Sequence, residues 1–224
     1  MQQLLAGYAT FRSEIFAQHA HQFAELAHCQ EPQALFITCS DSRVMPEMIT
    51  QSAPGEMLCC RNAGNLVPPP EETSSGVAAT VEYAVRVLRV PDIILCGHSD
   101  CGAMRALLDE GQLHDLPFLR SWLGHAGPMS RAFRGVMQDP RVWPAEERLR
   151  VLTELNVIAQ LHSLRAHPCV ARSLRRGSLR VHGWMYEIAT GEIRCLDPVT
   201  GSFRSLLPHP ASAIEAPFEG QLVA

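Results

Sequence analysis

Apolar residues recur every three to four positions between Gln2 and about Ala27, at Leu4, Tyr8, Phe11, Ile15, Phe16, Phe23 and Leu26. This spacing predicts an amphipathic N-terminal helical arm, with a break expected near Gly7. After Gln30-Glu31-Pro32 the run Ala34-Leu35-Phe36-Ile37-Thr38 is continuous rather than alternating, as expected of a strand buried on both faces and ending at Cys39. Pro46 to Gln51 has room for one or two helical turns, Pro54-Gly55 is a turn, and Glu56 to Cys60 is a second apolar strand leading into Arg61-Asn62-Ala63-Gly64-Asn65. Pro68-Pro69-Pro70 must be a loop, because three consecutive residues lack amide hydrogens. From near Ser74 to Val90 the stripe Val77, Val81, Ala84, Val85 and Leu88 predicts a helix that Pro91 closes. Asp92 to Cys96 is then a third buried strand, and Gly97 to Gly102 is a turn into a helix over Ala103 to Asp109, with Ser99 or Asp100 as its expected N-cap.

Strand, helix and strand in alternation imply a parallel sheet covered by helices. Residues 115 to 138 read as helix interrupted at Gly124, Gly127-Pro128 and Gly135. Pro144 to about Ala166 reads as a long helix with Leu149, Leu152, Leu155, Ile158, Ala159 and Leu161 as its apolar face. Ser178 to Ala189 alternates around Leu179, Val181, Trp184 and Tyr186, and Thr190-Gly191 turns into Ile193 to Leu196. Val199 to Leu206 is expected as an edge strand, and 208 to 224, with little periodicity, as a surface tail. The fold class is therefore α/β: a mainly parallel central sheet flanked by helices, with a helical arm at one end and antiparallel edge strands at the other. No repeat or linker divides the chain, so residues 1–224 form one domain, with 1–30 as the arm and 208–224 as the tail.

Composition narrows the function. With 46% hydrophobic and 19% charged residues the 224-residue chain has enough apolar surface to fold as one core. Its formal charge of -4 offers no basic field for nucleic acid or anionic lipid, so neither is expected as a partner. The N-terminus lacks the pattern of a secretion signal, and no apolar run approaches the roughly 18 residues of a membrane span, which predicts a cytoplasmic protein. Its eight cysteines are then expected to be reduced thiols, some of them metal ligands.

Two of the predicted parallel strands end in metal-competent residues, Cys39-Ser40-Asp41-Ser42-Arg43 and Gly97-His98-Ser99-Asp100-Cys101-Gly102. Ligand sites in open α/β sheets lie at the carboxyl ends of strands, so the two clusters can meet. Two thiolates and an imidazole suit zinc, and His98-x-x-Cys101 spans one tight turn. The fourth position is open to two readings. Asp41 as a ligand closes the shell, whereas an Arg43 fork on Asp41 keeps the carboxylate off the metal and leaves room for water. Cys59, Cys60 and Cys96 lie within apolar strands and read as small hydrophobes, as do Cys29, Cys169 and Cys195. His19, His21, His28, His114, His125, His162 and His167 are not expected as ligands, and Trp184 and Tyr186 read as core or interface.

Cys39-Ser40-Asp41-Ser42-Arg43, Arg61-Asn62-Ala63-Gly64-Asn65, Cys96 to Gly102 and His182-Gly183-Trp184-Met185-Tyr186, in that order, resemble the β-class carbonic anhydrases. The likeness runs from about residue 3 to 207 and is greatest to the bacterial and plant-like branch, which includes the enzyme accompanying bacterial cyanate degradation. It implies reversible hydration of carbon dioxide to bicarbonate and a proton by zinc-bound hydroxide, with one zinc per chain. It also implies an arm that embraces a second subunit, in an even homo-oligomer whose smallest unit is a dimer, with tetramer or octamer as larger forms.

Carried over by position, the resemblance assigns the zinc ligands to Cys39, His98 and Cys101 and the aspartate–arginine dyad to Asp41 and Arg43. Gln30 and the Gly102 amide would bind substrate. Leu58, Ala63 and Tyr83 would line the carbon dioxide pocket, partly across a subunit interface, with Leu58 and Ala63 smaller than the aromatic and valine common in that branch. Some relatives carry a second, inhibitory bicarbonate site of tryptophan, arginine and tyrosine. Here Arg61 and Tyr186 match but Phe36 lacks an indole donor, so no such site is expected and Asp41 should stay off the metal.

Two alternatives use the same residues: hydrolysis of carbon disulfide, or a closed zinc site in a non-catalytic scaffold. A zinc deaminase fits poorly, because its motif needs a glutamate where Asp100 stands and a later Pro-Cys-x-x-Cys pair.

Overall fold

All three continuous apolar runs become neighbouring strands. In the computed structural model, which describes residues 1–72, 75–136 and 142–207, β1 (Ala34–Cys39) lies between β2 (Met57–Asn62) and β3 (Asp92–His98), and all three are parallel. β4 (Arg180–Tyr186) joins β3 in parallel, and β5 (Ile193–Leu196) and β6 (Phe203–Ser205) follow antiparallel, giving the order β2-β1-β3-β4-β5-β6. The register sets Cys39 opposite Asn62 and His98 opposite Tyr186, so β1 and β3 deliver their last residues to the same edge of the sheet.

Leu35, Ile37, Ile93 and Leu95 are fully buried in a cluster with Val77, Val81, Val157 and Leu161, contributed by the helical segment 76–88 and the long helix Ala145–Ala166. At about 25 cal/mol per Å² of apolar surface, this burial is the main driving force for the sheet's assembly. A second cluster lies at the carboxyl ends of the strands and includes Cys39, Leu66, Cys101, Met104, Leu123, Leu149 and Leu152. The chemistry-bearing ends of β1 and β3 are therefore embedded in packed side chains.

The long helix comes so close to β3 and β4 that side chains must be absent beneath it. A Cβ on Gly183 would stand 2.6 Å from Leu161 Cδ1, and one on Gly97 would stand 2.7 Å from Val157 Cγ2. Gly183→Ala is expected to destabilise the protein by about 1–3 kcal/mol through overpacking, read as a lower denaturant midpoint with unchanged m.

At the opposite end of the sheet Asp92 accepts two hydrogen bonds from Arg180, from Nε at 2.8 Å and Nη2 at 2.6 Å, and its Oδ1 lies 2.8 Å from His182 Nε2. Arg180, then His182, hold the Asp92 carboxyl below the usual carboxylate range. A depressed folded pKa contributes stability above the unfolded value of about 3.9, and that contribution disappears as pH falls through the folded value. Asp92→Asn should therefore melt a few degrees lower at neutral pH, and the difference from the parent should vanish in strong acid.

The structure departs from the expected elements at several points. The arm stays helical through Gly7 and is interrupted instead by a π-helical stretch over Phe11–Ile15 and at His19 (φ -110°, ψ 16°). Its Phe11, Phe16 and Phe23 rings cluster at 5.2–6.1 Å, while Leu4, Leu5 and Tyr8 are exposed. The helix after β3 is Gly102–Leu108 and is capped by Cys101, not by Ser99 or Asp100, because both of those side chains bond elsewhere. The buried face of the long helix includes Thr153, Asn156 and Gln160, whereas Leu155, Ile158 and Ala159 are only half-buried. The expected 199–206 strand shortens to Phe203–Ser205, because Asp197 Oδ1 accepts from the Val199 and Thr200 amides and folds that segment into a turn. A helix not singled out in the sequence, Pro168–Arg175, follows the long one. The helical stretch expected from 115 to 138 is interrupted by a 3-10 turn at Gly124–Ala126, between helices Pro117–Leu123 and Gly127–Val136, and its last two residues lie outside the described ones. The helix restart at Ser74 and the tail from 208 to 224 lie outside the described residues; Ser75 is the N-cap of Gly76–Glu82. Among the described residues no helix is long and apolar enough to cross a membrane.

Candidate active site

Cys39, the last residue of β1, meets His98, the last of β3, and Cys101, at the end of the following turn. One ligand atom from each lies within 4.8 Å of the others, and all three residues are buried. His98 is fully buried, and its Nδ1 lies 2.9 Å from the Ser99 carbonyl oxygen. A carbonyl only accepts, so Nδ1 carries the hydrogen and the Nε2 lone pair is left free. That Nε2 has no hydrogen-bond partner. An unsatisfied buried nitrogen costs about 1–3 kcal/mol, and a cation shared with two thiolates would satisfy it. The donor set thus fits a soft or borderline metal ion.

The thiols are already polarised. Cys39 accepts a hydrogen bond from Cys101 and another from the Gly64 amide at 3.4 Å, and these, chiefly the one from Cys101, hold its thiol well below the usual range. Cys101 is correspondingly harder to ionise beside it, and burial pushes it the same way. Metal binding must therefore displace the Cys101 proton. Cys96 is buried as expected, and burial pushes its thiol up to about 12, whereas Cys59 is only half-buried and donates to Glu47 Oε1 at 3.2 Å. All eight cysteines are free.

Asp41 stands beside this group but outside it, with Oδ2 3.9 Å from His98 Nε2. Arg43 donates to it three times: Nε to Oδ1 at 2.9 Å, Nη2 to Oδ2 at 2.8 Å, and the backbone amide to Oδ1 at 3.0 Å. These bonds keep the carboxyl ionised far below the usual range. The fork that the sequence left as one of two possibilities is the arrangement adopted.

The loop after β2 completes the surroundings. Arg61 donates to the carbonyl oxygens of Cys39 (Nε, 3.2 Å) and Asp41 (Nη2, 2.7 Å) and ties down the end of β1. Asn62 bridges to Leu66 through both amide atoms, at 2.7 and 3.0 Å. From the long helix, Asn156 Nδ2 donates to the Gly64 carbonyl at 2.9 Å, and Gln160 Nε2 donates to Asn156 Oδ1 at 3.1 Å while its Oε1 accepts from the Val67 amide at 2.8 Å. This buried network fixes the loop that presents the Gly64 amide to Cys39. Sequence reasoning missed Asn156 and Gln160; polar residues three and four positions from the buried Thr153 and Leu164 on one helical face were the available sign.

The substrate residues named from the sequence separate into three places within one chain. Gly102 begins the helix after Cys101, and Ala63, half-buried, accepts at its carbonyl from Trp122 Nε1 at 2.8 Å. Gln30 and Tyr83 line an open cleft of about 700 Å³ with Phe23, Leu26 and Leu88, and none of the three candidate metal ligands lines that cleft. Leu58 packs against the main core. Phe36 is fully buried and meets Trp184 edge-on at 5.9 Å.

The carbonic anhydrase family model matches residues 34–193. A carbonic anhydrase of Pseudomonas aeruginosa is 46% identical over the whole of both chains. Among solved structures, the β-carbonic anhydrase CcaA superimposes with a TM-score of 0.86 at 39% identity, covering 92% of this chain and 98% of that one. Tetrameric β-carbonic anhydrases of Sordaria macrospora superimpose at 0.77 with 31% identity, over 91% and 98%. The family match spans the strand ends that carry Cys39, Asp41, His98 and Cys101, and with full-length identity to a bacterial relative it establishes that this chain belongs to the β-carbonic anhydrase family.

Proposed function

We propose that the protein catalyses the zinc-dependent, reversible hydration of carbon dioxide to bicarbonate and a proton, with Cys39, His98 and Cys101 holding one zinc per chain. The observation that carries the reading is the free, buried Nε2 of His98 between two thiols, next to a carboxylate whose oxygens are both engaged by Arg43. When bound there, zinc supplies a Lewis acid that lowers the pKa of water from 15.7 towards about 7.

The chain's own residues do the rest. Arg43 keeps Asp41 charged and pointed, so that Asp41 acts as a fixed hydrogen-bond acceptor that orients the attacking oxygen and aligns its lone pair with the carbon. In this reading the Arg43 fork draws Asp41 away from the metal and leaves the fourth position to water. In this reading the Gly102 amide, at the start of its helix, donates to developing negative charge. Leu58, Ala63, Gln30 and Tyr83 belong in this reading to an apolar pocket completed across a subunit interface. The exposed apolar residues of the arm, Leu4, Leu5 and Tyr8, support a homo-oligomer with a dimer as its smallest unit. The family likeness to solved tetramers agrees with this. No second bicarbonate site is part of the reading, because Phe36 is packed against Trp184 and two donors of Arg61 are spent on backbone carbonyls.

Substrate identity is tested by assaying carbon dioxide and carbon disulfide in parallel on one preparation. Turnover of carbon dioxide with negligible release of sulfide is expected; the reverse ranking would transfer the site to carbon disulfide hydrolysis.

A further inference from the structure

The Arg43 guanidinium faces two ways. Nε and Nη2 clasp Asp41, while Nη1 donates to Asp100 Oδ2 at 3.1 Å and Nη2 also donates to the Asp100 carbonyl oxygen at 3.1 Å. The remaining carboxylate oxygen of Asp100, Oδ1, accepts from Arg105 Nη2. Four side chains thus form one alternating row, Asp41, Arg43, Asp100, Arg105, running from the metal-ligand group outwards.

Two further observations bear on what this outer half does for Arg43. Asp100 adopts a left-handed backbone conformation (φ 54°), uncommon for a residue other than glycine, and this directs its carbonyl and carboxylate to the same guanidinium. Arg43 also borders a cleft of about 560 Å³, lined further by Arg105, Tyr186, Ile188 and Arg194, into which its side chain could turn if released.

We infer that Asp100 is a positioning residue for the hydration reaction: it braces the outer edge of Arg43, with Arg105 fixing Asp100 in turn, so that Asp41 keeps a single orientation. The inference rests on the proposed carbon dioxide hydration. A lone exposed ion pair is worth little, but a bidentate fork held on both sides loses its alternative rotamers, and catalytic alignment is sensitive to shifts of that size.

The test uses Asp100→Gly, which removes the carboxylate and tolerates the left-handed backbone, and Asp100→Asn, which tolerates the same backbone and retains one accepting oxygen. In the zinc-loaded full chain, Asp100→Gly should lower kcat about tenfold, equivalent to about 1.4 kcal/mol of barrier. KM should stay within about twofold, because neither Asp100 nor Arg105 belongs to the proposed substrate pocket. Asp100→Asn should recover part of the loss, and Arg105→Ala should lose about threefold. In an Arg43→Ala background Asp100→Gly should change kcat by less than about twofold, because its effect passes through Arg43. A second readout is independent of turnover: the Arg43 Nε–H resonance should exchange with solvent faster in Asp100→Gly than in the parent. A kcat for Asp100→Gly within about twofold of the parent, or an equal loss with and without Arg43, would overturn the inference while leaving the hydration reading intact. Failure of the parent itself to hydrate carbon dioxide would instead overturn that reading.

Discussion

Replacing Asp41 with asparagine, or Arg43 with alanine, is expected to lower carbon dioxide hydration by about a hundredfold or more while the protein keeps its zinc. Misaligning the attacking atom by about 1 Å costs about a hundredfold in rate, and both substitutions remove the fixed acceptor that aligns it. Asparagine preserves the shape of Asp41 but replaces one carboxylate oxygen with an amide that can only donate. Alanine at 43 leaves Asp41 with neither its fork nor the charge that holds its carboxyl far below the usual range. A released Asp41, with Oδ2 only 3.9 Å from His98 Nε2, is then free to compete for the metal. Because the two residues act as a unit, the double variant should be hardly worse than either single one. Initial hydration rates and zinc per chain, measured on the same samples, check this. A variant retaining half the parental rate would remove Asp41 from the mechanism, and a variant that lost its zinc would make the dyad a metal-holding device.

Cys101→Ala is expected to have the largest effect. It takes one of three donors from the group and leaves His98 Nε2 buried with a single thiol partner. It also deletes the hydrogen bond that most strongly favours the Cys39 thiolate. Zinc should fall from one per chain to a small fraction and hydration to background. The parent's melting temperature should rise on adding zinc while that of the variant should not, since an ion bound only by the folded state stabilises it by mass action. Full zinc occupancy in this variant would place the metal elsewhere.

Much of this site was legible in one dimension because its parts sit on short, strongly patterned segments. Ala34 to Thr38 and Asp92 to Cys96 are apolar on both faces, which identifies them as buried parallel strands, and topology then brings Cys39 and His98 to one edge. What escaped depends on tertiary proximity. Asp100 was read as a helix cap from its place before Gly102, yet its carboxylate crosses to Arg43, a residue 57 positions away. Asn156 and Gln160 broke the leucine pattern of a long helix, and only the loop at Gly64 and Val67 explains why they are buried. The arm's interruptions at Phe11–Ile15 and His19 carry no glycine or proline signal, whereas Gly7, which does, is accommodated without a break. Gln30 and Tyr83 share a cleft apart from the metal ligands, because Gln30 ends the arm and Tyr83 begins the 83–88 helical stretch, so that neither stands at the carboxyl end of a strand.

The central claim, an open zinc site with Asp41 held off the metal, is tested most directly by stopped-flow carbon dioxide hydration from about pH 6.5 to about 9, with zinc quantified on the same preparation. The account predicts one zinc per chain, substantial activity near pH 7 and a smooth rise with pH. One zinc per chain with no hydration anywhere in that range would contradict it.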